Sequence, residues 1–118
     1  MSITLVLTVH DRAAEVSAQV AASFMTTGNL PDAAVIVLDR PTEEARAGAI
    51  AAYGPLPCKT TFVELDGPPG WLSPVRAWNA GFAVVETEYL YAISSEVVQE
   101  EGNLLNAELL LEIGRAHV

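Results

Sequence analysis

The chain has 118 residues, 51% of them hydrophobic, and a formal net charge of −9, which suits one compact domain and excludes a disordered segment. Six basic residues against fifteen acidic ones exclude nucleic-acid binding by phosphate neutralisation, because counterion release needs a basic patch. The one cysteine, Cys58, excludes an internal disulfide; without a nearby His or Cys it builds no zinc site and fits a reducing compartment.

The opening residues, MSITLVLTVH, lack the basic n-region of a signal peptide, and their apolar run is too short. No run approaches the ~20 apolar residues of a membrane span. A soluble, cytoplasmic protein is expected. Ile3–Val9, ITLVLTV, is a near-continuous β-branched and aliphatic run, the pattern of a central strand in a parallel sheet. From Arg12 the period changes. Val16, Val20 and Phe24 recur every four residues beside Ala13, Ala21 and Met25, an apolar stripe on a helix. Gly28-Asn29 stops it, since Gly can take the left-handed conformation after a helix end.

The alternation then repeats. Ala33–Asp39 is a second strand. Thr42 is the expected N-cap of a second helix, with Glu43 and Glu44 in its first turn, and Gly54-Pro55 ends it. Lys59–Leu65 is a third strand. The DGPPGW stretch at 66–71 can be neither helix nor central strand. Ser73 as N-cap and Pro74 at the first helical position start a third helix. Its core stripe is expected at Val75, Trp78, Phe82 and Val85. Tyr89–Ser94 is a fourth strand, with Tyr89 and Tyr91 on one face. Asn103 is the expected cap of a last helix. The order is β-α-β-α-β-α-β-α, which implies a doubly wound α/β fold with a mostly parallel sheet and helices on both faces.

The last six residues, IGRAHV, break the helical pattern without a usual cap. They also match the translation of a sequencing-library adapter, ATC GGA AGA GCA CAC GTC. The expectation is therefore a native part at 1–112 belonging to a longer chain and a non-native tail at 113–118, so that His117 carries no chemistry.

In an open parallel sheet, ligands bind beyond the carboxyl ends of the strands. His10, Asp11 and Arg12 follow the first strand, Asp39 the second, Asp66 the third, and Ser94, Ser95 and Glu96 the fourth. Four carboxylates on one edge repel, so a cation or a basic side chain is expected beside them. Arg76 is the basic candidate, with Asn79 on the same helical face; an arginine at a helix N-terminus is a ready anion site. A surface pair with Glu86 or Asp66 is its bland alternative. Trp71, in the loop, suits either stacking on a ligand or anchoring to the core.

These residues carry a resemblance. LVLTVHDR, VIVLDRPT and SPVRAWNAGFAVVETEYLYAISSEV together resemble, in order and spacing, the N-terminal half of a family 2 glycosyltransferase with the GT-A nucleotide-sugar-binding fold. Each motif alone is weak, and the likeness covers about residues 3–105. It implies that Thr8, Val9 and His10 contact the nucleotide, that Asp39 accepts a hydrogen bond from the base, and that Arg76 and Asn79 lie near the donor. It puts the family's Asp-x-Asp metal motif on Ser94-Ser95-Glu96.

That motif departs from the family. A Mg²⁺ or Mn²⁺ bridging the donor diphosphate wants oxygen ligands and carboxylates. Glu96 supplies one carboxylate and Ser94 only a neutral hydroxyl. The alternatives are a weakened metal site, Arg76 and the helix terminus in place of a metal, loss of catalysis, or a polar turn closing the strand. The reading is a glycosyltransferase-like protein that binds a nucleotide-diphosphate sugar for transfer to an unidentified acceptor hydroxyl, inactive over this span because the general base lies elsewhere. The alternative is a non-catalytic nucleotide-sugar-binding or scaffold module. A receiver-like or flavodoxin-like domain lacks its lysine or its phosphate-binding glycines. An unpaired sheet edge leaves homo-oligomerisation open.

Overall fold

A computed structural model of the chain describes residues 2–67 and 74–116, with side chains at 110 and 112–116 outside that description. The elements follow in the expected order: β1 (Ile3–Val9), α1 (Ala14–Thr26), β2 (Ala33–Asp39), α2 (Glu43–Tyr53), β3 (Lys59–Leu65), α3 (Val75–Phe82), β4 (Tyr89–Ser94) and α4 (Asn103–Ala116). The four strands form one sheet in the order β3-β2-β1-β4. Every pairing is parallel, with Thr8 opposite both Val37 and Ser94.

Alternation along the strands divides the core between two faces. Leu5, Leu7 and Val9 join Ala34, Ile36, Leu38 and Ile93 on one face, under Val20, Ala21 and Phe24 of α1 and Ala45, Ala49 and Tyr53 of α2. Val6, Val35 and Val37 face the other way, beneath Ala77 of α3. β1 and β2 are therefore covered on both sides, which is why their sequences are unbroken apolar runs. β4 is covered on one side. Tyr91 and Ile93 pack under the α1–α2 layer, whereas Leu90, Ala92 and Ser94 on the opposite face are exposed.

The ends of the helices are set by local chemistry. Thr42 Oγ1 accepts from the amide of Ala45 at 3.2 Å and caps α2 as expected. Gly28 takes φ +71° after α1, a turn that a side chain would resist. The cap of α4 is different from the one expected. Asn103 is its first residue, and the amide of Leu104 donates to Asn29 Oδ1 at 2.8 Å. The same Asn29 side chain donates to Glu100 O and Thr27 Oγ1. Asn29, buried at the end of α1, thus ties α4 to α1. The break expected at Ile113 is absent, and α4 runs to Ala116.

α3 corrects the sequence reading in two ways. Pro74 occupies the N-cap position, one residue earlier in the helix than expected, and Ser73 lies outside the described residues. The buried face is Ala77 and Gly81, not the large apolar stripe: Val75 is 58% exposed and Phe82 37%, with Trp78 and Val85 only partly covered. The reason is distance. A Cβ on Gly81 would stand 2.8 Å from Val6 Cγ1 and 2.9 Å from Val37 Cγ2, so the helix lies on the sheet through its smallest side chains. Trp78 is displaced to the flank, where it stacks on Phe82 with ring centroids 5.7 Å apart. Among the described residues no helix is long and apolar enough to cross a membrane.

Candidate functional site

Because all four strands run the same way, the residues that follow them gather at one edge. β1 leads to β2 and β3 on one side, and β4 pairs on the other. The direction of winding therefore reverses between β1 and β4, where an open α/β sheet leaves a crevice. A cleft of about 590 Å³ sits there, lined by Thr8, His10, Asp11, Arg12, Pro74, Trp78, Ser94, Ser95 and Glu96. A second cleft of about 530 Å³ lies at the ends of β2 and β3, lined by residues 40–67 that include Arg40, Arg46, Glu64 and Asp66.

His10, in the first cleft, is tied to the end of β2. Its Nδ1 lies 2.8 Å from Asp39 O. A carbonyl only accepts, so Nδ1 carries the proton and Nε2 of the neutral ring keeps its lone pair. The carbonyl of His10 in turn accepts from the amide of Thr42 at 3.1 Å. These bonds fix the end of β1 against the β2–α2 turn.

The acidic edge is answered by guanidinium groups. Arg12 donates from Nε to Ser95 Oγ at 3.1 Å and from Nη2 to Glu96 Oε2 at 3.0 Å. Arg40 takes φ +44° and folds back on its neighbour, with Nε 3.1 Å from Asp39 Oδ1. Arg76 Nη1 donates to Asp66 O at 2.9 Å. A Cβ on Gly67 would lie 2.9 Å from Arg40 Cδ and 3.6 Å from Arg76 Nη1, so both arginines lie against Gly67, and Arg40 itself lines the β2–β3 cleft. The Arg12–Glu96 pair is half open to solvent and so contributes about 1 kcal/mol or less. It can open at small cost.

The nominated residues divide accordingly. Thr8, His10, Ser94 and Glu96 line the β1–β4 cleft. Asp39 lines neither cleft and pairs with Arg40, and Arg76 lies beside Gly67 of the β2–β3 cleft without lining it. Asn79 is exposed on α3 and lines neither cleft. Val9 has its side chain in the core beneath α1 and α2 and offers only its backbone. Ser94-Ser95-Glu96 is both a turn, closed by Val97 N on Ser94 O at 3.2 Å, and a wall of the cleft. Trp71 lies outside the described residues. Trp78, read from the sequence as core, does pack against the core on the α3 side, and its partly covered ring also lines the cleft.

Arg12 was not singled out, and its partners are 83 and 84 positions away in the chain. Its local signals are its place directly after β1 in a sequence with few cations and its position as the last residue of LVLTVHDR. Its charge also reaches the buried Tyr53, whose hydroxyl burial pushes well above its ordinary value while Arg12 pulls weakly downward. Burial likewise raises the Cys58 thiol above its ordinary value.

The residues of the β1–β4 cleft are poor ligands for a metal ion. Asp11 and Glu96 are its two carboxylates, Glu96 is engaged by Arg12, and Ser94 is neutral. Among the described residues no three His, Cys, Asp or Glu side chains come together to hold a cation.

The fold is similar to that in a crystal structure of Staphylococcus aureus TarS 1–349, with a TM-score of 0.74 and 16% sequence identity, covering 95% of this chain and 32% of that one. The likeness is one of fold, a parallel α/β arrangement, and the chain spans about a third of that neighbour's length. No protein-family model and no curated protein matches the sequence.

Proposed function

We propose that the chain is the donor-binding part of a family 2-like glycosyltransferase of the GT-A type, taking a nucleotide-diphosphate sugar at the carboxyl edge of its sheet. One observation carries this reading: the cleft at the winding reversal joins, through His10, to the Asp39 turn. The two ends match the two ends of the ligand. Asp39 and the backbone of Val9 and His10 suit a base and ribose, and the Thr8–Arg12–Ser95 region suits the diphosphate. Trp78 offers a ring face to a sugar or base. Arg76, beside Gly67 at the edge of the adjoining cleft, is a second anion contact in this reading, while Asn79, which lines neither cleft, has no part in it.

The reaction of the whole enzyme would join an acceptor hydroxyl oxygen to the anomeric carbon. The bond from that carbon to the diphosphate oxygen breaks, and a carboxylate base takes the hydroxyl proton. We place that base outside this chain. Residues 1–112 should then bind donor without turning it over. Calorimetry with UDP-glucose and GDP-mannose, paired with a sugar-release assay, tests this. Saturable binding of either with no release is expected. Transfer to an acceptor by this chain alone would overturn the division of labour.

A second reading, a non-catalytic binding or scaffold module, is favoured by the loss of the first carboxylate at Ser94. Absence of binding by any nucleotide sugar would support the scaffold form of it over the donor-binding one.

A further inference from the structure

We propose that Arg12 takes the place of the metal ion, so that the chain holds the diphosphate of its ligand through a guanidinium and needs no divalent cation. The inference rests on the nucleotide-diphosphate reading above and names how that ligand's charge is met. Among the described residues, a diphosphate entering the β1–β4 cleft meets Asp11 and Glu96, which repel it, and one formally cationic side chain, Arg12. Arg12 is bonded to Ser95 and Glu96, the second and third residues of the Ser94-Ser95-Glu96 stretch, and so occupies the one carboxylate a bridging cation would use there. A cation that needs Glu96 must displace Arg12, and the vacated arginine would then crowd it.

The geometry favours the arginine. Ser95 is buried and accepts from Nε, which fixes the plane of the guanidinium at the cleft wall. Glu96 holds Nη2 from an exposed position, and the remaining N–H groups, without a partner among the described residues, are left for ligand oxygens. A planar fork of donors suits the paired oxygens of a phosphate. α1 begins two residues later without a side-chain cap, and Pro74, at the start of α3, lines the same cleft. Both helix ends add positive potential. Glu96 then acts as a gate: it parks Arg12 when the cleft is empty and yields it to a stronger anion.

The test is titration of the chain with UDP and with inorganic pyrophosphate, in EDTA and in MnCl₂. Dissociation constants agreeing within about twofold between the two buffers are expected, since a guanidinium contact does not depend on added metal. Arg12→Gln should weaken UDP by roughly tenfold or more, and Arg12→Lys should restore part of the loss, because a point charge replaces the fork. Glu96→Gln should tighten binding severalfold by removing the competing charge. Arg12 and Glu96 are both at the surface, so these variants should fold. UDP binding that appears only with Mn²⁺ and vanishes in Glu96→Gln would make Glu96 a metal ligand; it would overturn the inference and leave the donor reading standing. Unchanged affinity in Arg12→Gln would overturn it too. No binding of UDP in either buffer would remove both.

Discussion

Tyr53 is completely buried at the end of α2, and its hydroxyl has no hydrogen-bond partner among the described residues. A buried unpaired hydroxyl costs about 1–3 kcal/mol, so Tyr53→Phe should leave stability unchanged or raise it by up to about 1 kcal/mol in urea melts at pH 7. The same burial raises the Tyr53 pKa from its ordinary 10.0. The folded state therefore keeps a proton that the unfolded state gives up, and stability should fall as pH rises beyond about 10. Tyr53→Phe should make that alkaline slope shallower; an identical slope in the two proteins would contradict it. Single residues were the least legible part of the sequence. The polar edge positions could be named from strand ends, but the pairs that define the site could not. Arg12 with Glu96 and Asn29 with Leu104 join positions 84 and 75 apart, and side-chain pairing at that separation leaves no periodic trace.

At the level of elements, the strands matched their apolar runs because β-branched blocks bounded by turn residues have one favourable reading. α3 did not. Its stripe of Val75, Trp78, Phe82 and Val85 is apolar at helical spacing, but the sheet admits only Ala77 and Gly81 at close range. Pattern alone ranks faces by hydrophobicity and misses the steric requirement. Gly81→Ala puts a methyl against two buried valines, and the overpacking of about 1–3 kcal/mol should exceed the gain of about 1 kcal/mol in helix propensity. Gly48→Ala should cost more, because the new Cβ would stand 2.8 Å from Ala14 Cα and α1 itself must move. Chemical denaturation checks both, and a stabilised Gly48→Ala would contradict the close α1–α2 approach.

Over the whole molecule, the alternation of strands and helices was sufficient for a parallel sheet with layers on both faces. The placement of β4 beside β1 is a long-range fact that the order of elements leaves undetermined. That placement creates the winding reversal, and with it the cleft. The carboxylates expected at the edge are there, and two of them are paired with arginines, Glu96 with Arg12 and Asp39 with Arg40, while Arg76 donates to the backbone carbonyl of Asp66. A protein with a net charge of −9 thus keeps several of its few cations at one end of the sheet. The most direct test is an amide chemical-shift titration with UDP-glucose. The largest shifts are expected at Thr8, His10, Arg12, Ser95 and Glu96. Shifts centred instead on Asp32, Lys59 and Thr87, at the opposite end of the strands, or no shifts at all, would contradict the assignment of the site.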